Sequence, residues 1–233
     1  PVEPVVVKTT QKQQAAAQGR RGRRRSIAED NQDIAGLFQK FGAVEVRADN
    51  MYNLLAAGET VLLFPGGVSE AYHKKGEDYK VMWPEKTDFI RMAALHDAIV
   101  VPFGAIGVAD SFEMVLDRDD ILANPLLKDR ATKSLESIPQ ARAGGAEQFI
   151  APISVPKLTG PSRQYFMFGE PFDTRDLNMG NKKECKVAYE DIRDRVLSCI
   201  ALLKDVQKGD RFSDFLPRQL YERTTNRQAP VDL

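Results

Sequence analysis

Residues 62 to 71 read Leu-Leu-Phe-Pro-Gly-Gly-Val-Ser-Glu-Ala. An apolar run that ends in two glycines can bring bare backbone N–H groups close to a ligand oxygen, because glycine has no Cβ to hold the ligand off. Recognition of a phosphate or a thioester needs that kind of approach, and Glu70, three residues after Gly67, sets a carboxylate at the rim. The same residues also suit a tight strand-to-helix turn, in which Glu70 is a first-turn acid favoured by the helix dipole. Gly-Gly after a strand does not choose between these readings.

Other chemistry is sparse. The chain has two histidines, His73 and His96. His96 is followed directly by Asp97 at the end of a helical stretch, a place where an imidazole interacts with the helix C-terminus. No cluster has the spacing of a zinc, iron or calcium site, and no Walker A loop occurs. Gly104-Ala-Ile-Gly107 follows a strand but lacks the third glycine and the apolar helix of a dinucleotide loop. No metal or nucleotide cofactor is expected. Cys185 and Cys199 fall within one predicted helix, which argues against a disulfide scaffold and for a reducing compartment.

The span from Phe64 to Lys80, then Trp83-Pro84-Glu85, Phe89-Ile-Arg-Met-Ala-Ala94 and Val100-Val-Pro-Phe-Gly104 resembles the diacylglycerol acyltransferase superfamily. Within it, the chain resembles the plant and algal plastid phytyl ester synthases, esterase/lipase-like acyltransferases that esterify phytol and diacylglycerol. The resemblance runs from about Asp33 to about Tyr221 and includes the Arg163–Pro171 segment and the closing Phe215-Leu-Pro-Arg-Gln-Leu-Tyr221. It implies that Phe64, Pro65, Gly66, Gly67 and Glu70 bind substrate, that Arg91 and Pro102 shape the pocket, and that Phe103 lines the same cleft. Arg91 can equally pair with Glu85 or Asp88 on its own helix, and Pro102 can simply end a strand.

The family's catalytic pattern is a His and an Asp separated by four residues, or His-Pro-His-Gly, ahead of the Gly-Gly segment. There the imidazole removes the acceptor hydroxyl's proton as it attacks the acyl carbonyl. No histidine stands before Phe64 here, so the family's base is absent from these residues. His73 and Asp78 reproduce the spacing but lie after the Gly-Gly segment, and spacing of two residue types alone is a decoy.

The elements that must position these residues follow from periodicity. The chain of 233 residues fits one domain with a tail. Pro1 to Ser26 is Gln-, Ala-, Gly- and Arg-rich and reads as a disordered basic tail, with the run Arg20 to Arg25 able to meet phosphates or anionic headgroups. Residues 27–225 form the acyltransferase-like domain, and 226–233 a flexible C-terminus. Ile34, Leu37, Phe38 and Phe41 make one helical face, and Gly42 stops that helix. Ala43–Arg47 alternates as a strand. Asp49 or Asn50 caps a helix with Met51, Leu54 and Leu55 inward, ended by Gly58. Thr60–Phe64 reads as a buried parallel strand, Thr87–His96 as a helix and Ala98–Phe103 as a second buried strand, a βαβ unit. Ile121–Glu136 is mixed helix and loop, and Ser137–Pro161 a Pro- and Gly-rich flap. Gln164–Phe168 is a strand, Gly169-Glu170-Pro171 a turn, and Lys182–Val206 a long helix with Val187, Ile192, Val196, Ile200 and Leu203 inward.

The expected fold is therefore α/β, a mostly parallel sheet flanked by helices, glycerolipid-acyltransferase-like, with its first strands and helices outside this chain. Lys and Arg balance Asp and Glu at zero formal charge, so nothing in the overall field favours nucleic acid. No apolar run reaches the roughly 18 to 20 residues of a membrane span, so membrane contact is expected to be peripheral. The resemblance implies acyl transfer from acyl-CoA, acyl carrier protein or a galactolipid to a lipid alcohol, at a plastoglobule, lipid-droplet or thylakoid surface in the chloroplast. Two other readings are a non-catalytic lipid-binding fragment and part of a lipid hydrolase. No Gly-x-Ser-x-Gly elbow occurs in these residues, so a hydrolase nucleophile would have to lie elsewhere.

Overall fold

The computed structural model describes residues 40–44, 46–86, 88–135 and 150–231. The chain divides into two compact units, residues 1–43 and 44–233. Of the first, a turn through Gly42 at φ +84° is described. The predicted tail, most of the predicted first helix and most of the predicted flap lie outside the described residues.

The second unit is a mixture of helices and short antiparallel strand pairs. Helix α1 (Ala48–Ala56) keeps Met51, Leu54 and Leu55 half-buried. Its N-cap is Arg47 with no side-chain cap, in place of the predicted Asp49 or Asn50, and Gly58 follows its end at φ +75°. The single-turn α2 (Val68–Ala71) carries Glu70, and α3 (Asp88–Leu95) buries Ile90 and Ala93. Strands β1 (Ile99–Val100) and β2 (Phe103–Ile106) come next, then a 3-10 turn (Ala109–Ser111) and β3 (Phe112–Leu116). The predicted mixed stretch resolves into α4 (Arg118–Ala123) and α5 (Pro125–Leu135). Asp117 caps α4 in a reciprocal box with Asp120. Strands β4 (Ile153–Pro156), β5 (Tyr165–Phe168) and β6 (Phe172–Asp173) precede the long helix α6 (Lys182–Gly209) and α7 (Phe215–Thr225).

Every strand pair among the described residues is antiparallel: β1 with β6, β2 with β5 and β3 with β4. The first two are continuous, because Gly169 N–H donates to Pro102 C=O at 2.8 Å where the strands break. Proline has no N–H to give the ladder, which is why the predicted single strand Ala98–Phe103 splits at Pro102. Helix α6 covers one face of this ladder so closely that a Cβ on Gly104 would stand 2.9 Å from Cys199 Cβ.

The core has two clusters along α6. Ile90, Cys185, Ala188, Tyr189 and Ile192 pack with Trp83, Phe89, Val100 and Phe172. Ile106, Tyr165 and Leu203 pack with Tyr79, Met167 and Ile200. Ile192 and Leu203 are buried as predicted, whereas Val187 is 67% exposed and the inward stripe instead uses Cys185, Ala188, Tyr189 and Cys199. Both cysteines are buried free thiols.

The parallel βαβ unit is corrected. Thr60–Phe64 joins no ladder among the described residues, and the backbone–backbone hydrogen bond it makes there is Gly67 N–H to Phe64 C=O, 3.0 Å. A uniformly apolar run specifies burial and leaves its pairing partner open. Here Leu62 and Phe64 stay exposed while their segment walls a cavity. Ala43–Arg47 likewise forms no strand among its described residues, and Val44 and Val46 face solvent.

Ala229 is buried, and Arg163 donates to the Ala229 and Pro230 carbonyls. Arg163 is itself held by the fully buried Asp210 carboxylate at 3.1 Å, which also accepts from Tyr165 Oη at 2.7 Å and Phe212 N–H at 2.8 Å. Burial, with the Asp210 charge beside it, pushes the Tyr165 hydroxyl well up.

Candidate functional site: an apolar cavity beside the Gly-Gly turn

A cavity of about 1060 Å³ opens beside the Gly-Gly turn. One wall is the extended segment from Thr60 to Pro65, and another is β1 and β2 from Ala98 to Ala105. Helix α6 supplies Ile192, Val196 and Ile200, and Trp83, Phe89 and Ala93 close the inner end. Most of these residues are apolar, and Ile192 and Ala93 among them are buried in the core. The polar lining comes from His73 and from Lys75 to Lys80, together with Asp110, Glu113 and Lys157. Small-molecule pockets usually run to roughly 300–1,000 Å³, so this one has room for a large, mostly apolar ligand.

The turn brings several predicted residues to the cavity. Phe64, Pro65, Glu70, Pro102 and Phe103 line it, and the Phe64 and Phe103 rings meet edge to face with centroids 5.9 Å apart. Gly66 and Gly67 shape the turn behind them. Gly67 takes φ +51°, a region L-residues rarely adopt, and a Cβ on Gly66 would collide with the Glu70 side chain. Neither glycine lines the cavity. Arg91 does not either: it lies on the exposed side of α3 and donates to the Met179 carbonyl at 3.1 Å. Its outward position on α3 is the physical reason it shapes no pocket.

Glu70 is one of the carboxyl groups that line the cavity. Oε1 accepts from Met82 N–H at 2.9 Å, and burial raises its pKa above the usual carboxylate value, a rise partly offset by that hydrogen bond. Tyr79 stands across the loop. Its hydroxyl donates to Asp110 Oδ2 and accepts from Gly107 N–H, both at 2.8 Å, and burial pushes its pKa up to about 12. Sequence reading passed over Tyr79. Its signal was weak, a tyrosine in a charged stretch.

Both ring nitrogens of His73 face protein acceptors, and His96 lies outside the cavity lining. His73 Nδ1 lies 2.9 Å from the Glu70 carbonyl and Nε2 lies 3.0 Å from Asp78 Oδ1. Both partners are acceptors, so both bonds form together only when both ring nitrogens carry hydrogen. His73 and Asp78 are thus brought together, as a staple of the loop. His96 packs edge-on to Tyr52 with centroids 4.8 Å apart and does not line the cavity. Lys74, Lys75 and Lys80 pair with Asp119, Asp120 and Glu77. Among the described residues no group of His, Cys, Asp and Glu could hold a metal ion, and no helix is long and apolar enough to cross a membrane.

Comparison with known proteins gives two relatives from Arabidopsis thaliana. The chain is 38% identical over 196 residues to phytyl ester synthase 2, chloroplastic, covering 80% of this chain and 28% of that protein. It is 37% identical over 201 residues to phytyl ester synthase 1, chloroplastic, covering 82% of this chain and 28% of that protein. The chain therefore spans little more than a quarter of the length of these curated relatives. No protein-family profile matches the chain, and no solved structure matches it. Over about four fifths of its length this chain is similar to one part of the plant phytyl ester synthases, the enzymes its motifs resemble.

Proposed function

We propose that this chain is the chain-binding portion of a chloroplast O-acyltransferase that joins a fatty acyl group to phytol or diacylglycerol. The supporting observation is that Phe64, Pro65, Glu70, Pro102 and Phe103, the residues picked out by resemblance, converge on one large apolar-walled cavity. In this reading the hydrocarbon chain lies between Thr60–Pro65 and β1–β2. Glu70, whose raised pKa keeps it protonated over a wider range than a free carboxyl, hydrogen-bonds the acceptor hydroxyl or the ester oxygen at the cavity edge. The donor is an acyl thioester or a galactolipid. Exposed Leu62, Phe64, Phe166 and Phe168 supply apolar contact with a plastoglobule or thylakoid surface.

Proton abstraction is assigned to a group outside this chain, because both nitrogens of His73 are engaged and His96 does not line the cavity. The 233 residues alone then act as a lipid-binding unit. Two assays on the purified chain test this. Phytol should displace the fluorescent fatty acid cis-parinaric acid from it. Radiolabelled acyl-CoA should give no phytyl ester above the uncatalysed level, since a missing base costs a factor of about 10² to 10⁴. Robust ester formation that disappears in His73→Ala would overturn the assignment.

A further inference from the structure

The loop from His73 to Lys80 is held in two different ways. Its C-terminal end is anchored: Tyr79 sits at φ +64° with its hydroxyl bonded to Asp110 and to Gly107 N–H, and Gln207 Nε2 donates to the same Asp110 oxygen at 2.8 Å. A bulky side chain held at positive φ marks a place where the surroundings overrule the backbone's preference. His73, bonded to the Glu70 carbonyl and to Asp78, ties the loop's start to that anchored end.

The tip between them, a turn closed by Glu77 N–H to the Lys74 carbonyl at 3.1 Å, is held at its far side by two ion pairs and one backbone hydrogen bond. Lys74 Nζ lies 2.8 Å from Asp119 and Lys75 Nζ lies 2.6 Å from Asp120, with all four side chains at least 40% exposed. Lys75 N–H reaches Asp117 Oδ2 at 3.3 Å, so the capping box of α4 is the receiver for the tip. Gly76 follows at φ +77° with nothing within 4 Å of where a Cβ would stand, which leaves room for the backbone to turn. Lys75, Gly76 and Glu77 also line the cavity, as do Asp110 and Phe112.

We propose that Lys74–Glu77 is a latch over the cavity, closed by the Lys74–Asp119 and Lys75–Asp120 pairs and hinged on the Tyr79 anchor, and that its opening controls how fast a long-chain ligand enters and leaves. This rests on the reading of the cavity as a hydrocarbon-chain pocket. Exposed ion pairs contribute little to stability and are screened by salt. Such weakness suits a catch that must open often. The tight anchor at Tyr79 restricts the motion to the tip.

Stopped-flow uptake of cis-parinaric acid by the full 233-residue chain tests the proposal, with Lys74→Ala/Lys75→Ala compared to the unmodified protein. Asp117 and Asp120 are left in place, so the α4 cap survives. The latch predicts association and dissociation rates both faster by roughly 2- to 30-fold, the range for losing two exposed pairs. Added salt should speed the unmodified protein toward the variant. The Lys74→Asp/Asp119→Lys swap should slow uptake relative to Lys74→Asp alone. Saturable binding with rates unaffected by the lysine changes would overturn the latch and leave the pocket standing. No binding to any of the proteins would overturn the pocket reading and the latch with it.

Discussion

The Glu70 side chain lies directly over Gly66, so close that a Cβ built on Gly66 would stand 2.0 Å from Glu70 Cδ. The glycine therefore serves the carboxylate: its missing side chain is the space in which Glu70 turns toward Met82 N–H. Gly67 has the opposite role, since its φ is +51° but a Cβ there would meet only the Phe64 carbonyl oxygen, at 3.9 Å. One glycine provides room and the other a backbone angle.

Alanine at the two positions should separate those roles. Gly66→Ala forces Glu70 out of place at an overpacking cost of about 1–3 kcal/mol and should weaken binding of phytol more than Gly67→Ala does. Gly67→Ala should lower stability by roughly 1–2 kcal/mol through left-handed strain, with little effect on Kd once the protein is folded. Urea unfolding and phytol titration on both variants are the comparison. Equal loss of affinity per unit of lost stability would refute the division.

The carboxyl of Glu70 should leave a mark in the pH dependence of stability. Its folded pKa is raised above the ordinary 4.5, so the folded state holds this proton more tightly than the unfolded one. Stability from this group is then greatest below about the unfolded value and is lost as pH rises through the folded value. Measured as Tm, the unmodified protein should lose ground to Glu70→Gln as pH rises through that window and level off above it. A difference constant with pH, or one that grows in favour of the unmodified protein, would contradict the burial argument.

Asp210 should be the costliest polar residue to remove. Its fully buried carboxylate binds Arg163, Tyr165 and Phe212 N–H, so Asp210→Ala strands the guanidinium and should cost about 3–5 kcal/mol in chemical denaturation. Tyr165→Phe removes one hydrogen bond to a charged group and should cost roughly 1.5–3 kcal/mol. Hydrogen exchange at Ala229 should accelerate in Asp210→Ala, because the tail is held by the same Arg163. Similar stability for the two variants would mean that the arginine is not held by charge.

The helices were the legible part of the sequence. Met51, Leu54 and Leu55 on α1, and Ile192 and Leu203 on α6, repeat at helical spacing and point inward. The stripe of α6 was misplaced at Val187 because its true inward residues include Cys185, Ala188 and Cys199, small side chains whose hydropathy signals less than their packing. Strand pairing was not legible. Phe103 meets Phe168 and Ile106 meets Tyr165 across a long stretch of chain, and no local pattern selects such a partner. The motif residues Phe64, Pro65, Glu70, Pro102 and Phe103 reach one cavity. Tyr79 and Asp110 escaped notice because their importance comes from a bond across the loop and from no repeating pattern. The place of Arg91 outside the cavity could not be read either, since an arginine on an amphipathic helix looks the same whether it faces a pocket or solvent.

The central claim is that the cavity beside the Gly-Gly turn holds a long hydrocarbon chain. Photo-crosslinking with a fatty acid carrying a diazirine near its methyl end, followed by peptide mapping, reads the position of that chain directly. The account predicts adducts concentrated on residues 60–65, 98–105 and 192–200, competed away by phytol and reduced by Val196→Phe, which pushes a larger ring into the cavity from α6. Labelling spread over exposed apolar residues such as Leu216 and Leu220 on α7, with no competition by phytol, would contradict it.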